Sequence, residues 1–511
     1  MRLWALRKRW GSLLALWLLA AATQAQTFEA PYARAYRLAL KLKVDSARRL
    51  TTAPAAGPDA EAQRLLVQSM ADFVECMVRE DDDPPPGLDE AMAARLDALA
   101  DLPDRSPWPA YALAEAYLHR GLVLARYGHE VKAAYLLTKA YTRTKDVRRR
   151  WPAFRPARKS MGIYKMVLGL APPLKDNWML KMLGLRGDVD GGLADLQAAA
   201  DSTNAQQPEA TLLYSMAQMY VRRQPEQGRA LLLRYVNNEP DDLAGLALLA
   251  TVYQQGQQHG RAQAALRYMR PAPGHLPFYY PLLLEGDLHL QALHTDSAIV
   301  PLERYLAVCS RKRLVKQLHY KLFVAYYLQG DSATANAHFY AIATDGEVGT
   351  DQDRYALHFH KRGIVPDKRL LRARLLYDGG FDERAQRTLD SVLPHQLRTV
   401  SELAELQYRR ARLAQRRKDT SAAERLFLLT ISTAGADPSY YAPNACLQLG
   451  RIAYARKQWE AARGWFARVR TYPDHEYKQG LDEQAQAWLG RVARAERLAR
   501  KQARRGSPAA G

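Results

Sequence analysis

Residues 449–469 read LGRIAYARKQWEAARGWFARV, and the fold is decided by how these residues are spaced. Apolar residues recur at helical intervals on both sides of a short polar break, which makes two helices joined by a turn. Gly450 stands at the contact point of the first helix. Twelve residues later comes Ala462, then Phe466 four positions on and Val469 three after that. A small residue at a helix crossing lets two backbones approach, and a bulky residue one turn later fills the adjacent groove. One such pair cannot bury its apolar face alone, so pairs must stack on one another.

The same arrangement recurs upstream. Aligned on the alanine of the second helix, the copies are Ala262 with Leu266 and Met269, Ala298 with Leu302 and Tyr305, and Ala335 with Phe339 and Ile342. Ala385 with Leu389 and Val392 follows, then Ala423 with Phe427 and Thr430. Twelve residues before each alanine lie Ala250, Gly286, Phe323, Ala373 and Ala411. Turns such as Gly330-Asp331 and Asp378-Gly379-Gly380 separate the helices. A further copy near the N-terminus reads Gly121, Ala133, Leu137 and Ala140. The interval from Ala335 to Ala385 is longer than the others, and residues 343–350 within it read as an extended connection.

These residues resemble the tetratricopeptide repeat, whose consensus period is about 34 residues. The resemblance covers about residues 205–495. It implies an all-α fold of tandem helix-turn-helix repeats stacked into a right-handed superhelix. It also implies a protein-binding concave face lined by the first helix of each pair, and no chemistry. Carrying the family's groove positions onto this sequence picks out Tyr320, Tyr327, Arg374, Tyr377, Tyr408, Arg412, Arg416, Arg451 and Tyr454. Tyrosine and arginine supply large contact area with directional hydrogen bonds. Such a groove suits an acidic peptide, a chain terminus or an anionic glycan.

Residues 152–200, PAFRPARKSMGIYKMVLGLAPPLKDNWMLKMLGLRGDVDGGLADLQAAA, break the repeat pattern with Pro172-Pro173 and a series of glycines. In the order of these features the block resembles the signature region of the inclusion-body-clearance family, tetratricopeptide-like proteins associated with aggregates and lipid bodies. That resemblance supplies no catalytic residue. Two short apolar stretches within 161–185, interleaved with Lys165, Lys175 and Lys181, form either a packed junction core or a face that meets lipid.

The ends bound the compartment. Arg2, Arg7, Lys8 and Arg9 precede the apolar run Ser12–Ala22 and the small residues Thr23-Gln24-Ala25. That layout predicts a signal peptide over 1–25, hence an exported protein; the Gln-rich cleavage region and the family resemblance fit a periplasmic or envelope-associated protein of a Gram-negative bacterium. The alternative for the same residues is an uncleaved anchor. The expected organisation is then an N-terminal helical region over 26–151, a junction over 152–204, repeats over 205–495 and a basic, disordered tail over 496–511.

Composition and motifs exclude several classes. The formal charge of +21 is spread over helices without the aromatic signatures of nucleic-acid modules, so no nucleic-acid partner is expected. Three widely spaced cysteines, Cys76, Cys309 and Cys446, cannot make a disulfide framework. His358 and His360, two apart, point to different helix faces; His289 and His294, five apart, are also poorly placed to chelate together. No zinc, nucleophile-elbow or phosphate-loop motif occurs, and the acidic run 80–83 lacks the spaced ligands of a calcium loop. The sequence therefore predicts no enzyme, no cofactor and no metal. It predicts a scaffold or adaptor for a protein or peptide partner, with a lipid- or membrane-surface protein acting through 161–185 as the alternative.

Overall fold

A computed structural model describes residues 27–170, 187–222, 224–269, 273–309, 313–473, 475 and 477–506. The leader at 1–25 and the second half of the 161–185 stretch lie outside them. All regular structure among the described residues is helical. The chain forms two compact units, one of Met1–Tyr253 with Arg261–Pro281 and one of Gln254–Gly260 with Leu282–Gly511.

The N-terminal unit begins with α1 (Ala30–Leu40), α2 (Val44–Arg49), α3 (Pro58–Val78), α4 (Leu88–Ala100), α5 (Pro107–Arg126) and α6 (Glu130–Arg150). It continues through α7 (Pro156–Leu170), α8 (Val189–Ala200), α9 (Gln207–Met216), a short π-turn over Ala217–Val221 and α10 (Pro225–Asn238). α11 (Leu243–Gln255) and α12 (His259–Tyr268) follow, and α13 (Tyr280–Gln291) opens the helix pairs of the C-terminal unit. Proline opens α3, α5, α7 and α10, the position where its missing N–H costs nothing and its fixed φ suits a helix. The core gathers Trp108, Tyr111 and Phe154 edge to face, with Trp108 and Phe154 rings 5.1 Å apart, and Tyr36 meets Phe28 in the same way.

Beside these rings lies a buried ionic network. Lys159, 1 % exposed, donates to Glu115 at 2.7 Å and to Glu209 at 2.8 Å. Ser160 donates to the other Glu115 oxygen, and Tyr36 donates to Glu209. Four helices, α1, α5, α7 and α9, are thus joined by one satisfied cluster. Its value is in fixing their register, because removing Lys159 strands the fully buried Glu115 carboxylate.

Glycine accounts for the junction. A Cβ on Gly162 would lie 2.8 Å from the Gly192 carbonyl, and one on Gly192 would lie 2.7 Å from the Gly162 carbonyl. α7 and α8 therefore touch backbone to backbone. Met161, Tyr164 and Met166 are buried in this junction, whereas Val167 is exposed.

In the C-terminal unit the repeat pattern becomes geometry. α14 (Thr295–Val308) pairs with α13; α15 (Val315–Gln329) pairs with α16 (Ser332–Thr344). After α17 (Asp351–Arg362) come the pairs α18 (Lys368–Asp378) with α19 (Asp382–Asp390), and α20 (Val400–Arg416) with α21 (Thr420–Ala434). α22 (Tyr441–Ala455) pairs with α23 (Trp459–Val469), and α24 (Lys478–Gly506) closes the order. A Cβ on Gly286 would meet Leu302 at 2.5 Å, and one on Gly450 would meet Phe466 at 2.5 Å. Phe323, the one bulky residue at a crossing, meets Phe339 at 5.8 Å between rings. At the 330–331 turn Gly330 takes φ 102°, and the Asp331 side chain accepts from the Thr334 amide to start α16.

The long interval between Ala335 and Ala385 holds more than a connection. A Thr350–Asp353 capping box opens α17 there, and α17 packs on α15 and α16. The cap was not recognised in the sequence because α17 has no partner helix of its own and so lacks the pair signature.

Two outcomes follow from this packing. Phe466 is fully buried against Gly450 and Trp488, so Phe466→Ala should destabilise the C-terminal helix pairs by ~3–5 kcal/mol. Hydrogen exchange across α22 and α23 reads this directly. In the N-terminal unit, burial holds His119 neutral by lowering its pKa to about 4, against about 6.5 in an unfolded chain. The unfolded state takes up a proton that the folded state refuses, so stability is complete above pH ~6.5 and falls as pH drops toward 4. For Glu115, burial raises the pKa, but Lys159, His119 and Ser160 outweigh it and the net shift is downward, adding to acid sensitivity. Urea melts between pH 7.5 and 4.5 should show this loss, and His119→Phe should flatten it.

Candidate functional site: a tyrosine–arginine cavity

The first helices of successive pairs place their inward faces around a cavity of about 590 Å³ in the C-terminal unit. α15 contributes Gln317, Tyr320 and Lys321. α17 contributes Asp351, Gln352 and Tyr355, and α18 contributes Arg374, Tyr377 and Asp378. Tyr408, Arg409 and Arg412 come from α20, Tyr440 and Asn444 from the start of α22, and Tyr477 and Gln484 from the start of α24. Helical spacing is the reason. Residues three and four apart share one face, so Tyr408 and Arg412, or Arg374 and Tyr377, reach the same space.

Arginines and phenols are bonded to each other throughout. Arg374 donates to the Tyr355 hydroxyl at 2.7 Å and to the Tyr320 hydroxyl at 2.5 Å. Arg412 donates to Tyr377 at 3.2 Å and, more loosely, to Tyr408 at 3.4 Å. Arg409 donates to Tyr440 at 3.0 Å and is paired with Glu405 at 2.9 Å. Tyr477 stacks on Tyr355 with centroids 5.4 Å apart and meets Tyr440 edge-on at 5.0 Å.

Neither Arg374 nor Arg412 forms an ion pair among the described residues. Their hydrogen bonds go to neutral hydroxyls, which take two of the five N–H groups of each and bring no charge of their own. The carboxylate in their midst is Asp378, half-buried at the end of α18, with no hydrogen bond to its oxygens among the described residues. Burial pushes the Asp378 carboxyl above the usual carboxylate range, against the pull of Arg409, Arg374, Arg416 and Arg412. In formal charge, four cationic and two acidic side chains line the space.

Of the nine residues expected in a groove, Tyr320, Arg374, Tyr377, Tyr408 and Arg412 line this cavity. The other four hold helices together. Tyr327 stacks on Phe323 and donates to the Pro366 carbonyl at 3.0 Å. Arg416 pairs with Asp382 and lies 3.6 Å from the centre of the Tyr377 ring. Arg451 donates to Gln484 at 3.0 Å, and Tyr454 is wedged between Trp459 and Trp488.

Sequence spacing did not find Tyr355, Tyr440, Tyr477, Arg409 or Asp378. Tyr355 sits on the unpaired α17, and Tyr440 and Tyr477 precede their helices, outside the repeat register. Arg409 and Asp378 lay within reach of the pattern, each beside a residue that it picked out. Among the described residues, no three His, Cys, Asp or Glu side chains come together as a metal ligand set. No helix among them is long and apolar enough to cross a membrane.

No protein-family model matches the chain, and no curated protein matches it. Among solved structures it is similar to the TPR domain of P58(IPK), at 12 % identity and a TM-score of 0.21, over 81 % of this chain and 94 % of that one. It is also similar to yeast Tom70, at 13 % identity and a TM-score of 0.25, over 90 % of this chain and 87 % of that one. Those scores carry no weight for function. The tetratricopeptide-like character of the chain rests on its own helix pairs, with small residues at the crossings and bulky ones filling them.

Arg374 bonds two hydroxyls of the cavity wall, those of Tyr320 and Tyr355, which also lie 3.3 Å from each other. Arg374→Leu should cost ~1–3 kcal/mol by leaving buried polar groups unpaired, and Arg374→Lys should recover only part because an ammonium lacks the planar fork. Thermal melts of the two variants against the parent chain measure both.

Proposed function

We propose that this chain is a non-catalytic, exported scaffold or adaptor that binds a protein partner through the first-helix face of its repeats. The observation that carries this reading is the convergence of Tyr320, Arg374, Tyr377, Tyr408 and Arg412, from three successive first helices, on one cavity. Stacked helix pairs present these faces side by side, and that is how a solenoid builds a binding surface larger than any single helix. The surplus of guanidinium over carboxylate favours an acidic segment of the partner. Export rests on the charged, apolar and small-residue order of residues 1–25, and the Gln-rich cleavage region fits a periplasmic or envelope location. Lipid association through 161–185 has less support, since Met161, Tyr164 and Met166 are buried.

Affinity capture with the full chain tests the reading. A discrete partner should be recovered, its yield should fall as salt is raised, and Arg412→Glu should abolish it. Arg149→Glu, at an exposed site in the N-terminal unit, should leave capture intact. Recovery indifferent to Arg412→Glu would place the partner elsewhere.

A further inference from the structure

The scaffold reading concerns a protein partner; the cavity, taken alone, has the size and chemistry of a small-molecule site. Its volume of about 590 Å³ falls within the ~300–1,000 Å³ of ligand pockets. Three unmet demands are built into its wall, and together they describe a ligand.

The first demand is for negative charge. Arg374 and Arg412 are bonded to phenols and lack an ion-pair partner among the described residues. A half-buried guanidinium with no carboxylate in ion-pair contact and N–H groups to spare favours an oxyanion, which accepts from its planar fork. The phenols reinforce this demand, because a hydroxyl that accepts from a guanidinium keeps its own proton for another acceptor. Tyr377 and Tyr408 are such donors.

The second demand opposes the first. Asp378 faces the same space without a hydrogen bond. A ligand that brings only negative charge is repelled by Asp378 and leaves it unbonded. The ligand must therefore carry a donor as well as an anion. An ammonium would satisfy Asp378 but would sit among Arg374, Arg409, Arg412 and Arg416, the cations that act on that carboxylate. A neutral donor, a hydroxyl, meets the need without that repulsion.

The third demand is for an apolar face. Tyrosine rings line the space, and at one side Tyr477 stacks on Tyr355. Rings of this kind cover C–H surface, while their hydroxyls stay polar.

We infer that this cavity binds a sugar acid: a ring with an apolar C–H face, a carboxylate for Arg374 and Arg412, and neighbouring hydroxyls that donate to Asp378. The same chemistry is offered by a free sugar acid and by a uronic-acid residue within an acidic polysaccharide.

Isothermal titration calorimetry on the purified full chain tests the assignment with galacturonate, trigalacturonate, galactose, glutarate and hexaglutamate. Galacturonate should bind. Galactose, which lacks the carboxylate, and glutarate, which lacks the hydroxyls, should each bind about tenfold more weakly or worse. Tighter binding of trigalacturonate assigns the polymer as the source, and equal or weaker binding assigns the free acid. Arg412→Gln should weaken galacturonate about tenfold, and Asp378→Asn should erase the preference for galacturonate over glutarate. Where Arg412→Gln does not fold, Tyr408→Phe, which keeps the ring and loses one hydroxyl, should also weaken binding. Equal affinity for glutarate and galacturonate, binding of hexaglutamate without galacturonate, or no binding of any sugar acid overturns the assignment. Because no partner protein is present, this result is separable from success or failure of the capture experiment.

Discussion

Gly450 has no side chain because Phe466 needs its space, and most of the C-terminal unit depends on arrangements of that kind. Where two helices cross at a glycine or alanine, the backbones come close enough for a phenylalanine or leucine to fill the groove beside the contact. Gly286 with Leu302 and Ala411 with Phe427 repeat the solution. Each pair leaves an apolar surface that only the next pair can cover, so the array is held by successive local contacts. One consequence is functional. First helices, which bury more of their residues than second helices do, are set side by side and their inward faces share one space.

The two units handle buried charge differently. In the N-terminal unit Lys159 is held between Glu115 and Glu209, so the buried cation meets carboxylates in direct contact and the cluster locks helices together. In the C-terminal unit Arg374 and Arg412 meet phenols instead. A matched buried pair has nothing left to offer a ligand. A guanidinium bonded only to neutral hydroxyls keeps N–H groups for an anion, and that contrast separates a structural cluster from a candidate site.

Much of this was legible in one dimension. The alanine of each second helix, the small residue twelve positions earlier and the Gly-Asp turns all correspond to contacts or caps, because each is a local rule of helix pairing. Five of the nine groove residues line the cavity for the same reason: they occupy fixed positions on first helices. Tyr327, Arg416, Arg451 and Tyr454 occupy equivalent-looking positions, yet each is taken up by a neighbour, Pro366, Asp382, Gln484 or the Trp459–Trp488 pair. Spacing says which face a side chain leaves from and nothing about what it meets.

The sequence by itself determined the helical class, the pairing of helices and the identity of the residues at their crossings, because side-chain size at a fixed helical interval settles how closely two helices lie. It also carried the tyrosine and arginine that the first helices present. Only the tertiary structure decided that these residues line a cavity, that the unpaired helix α17 brings Tyr355 to it and that Tyr477 stacks on Tyr355 there. Asp378 became a ligand-selecting group in the same way, by being surrounded. The physical reason is that pairing within a repeat is governed by residues about twelve apart, whereas the wall of the cavity joins side chains from six helices whose distances depend on the sum of every crossing between them.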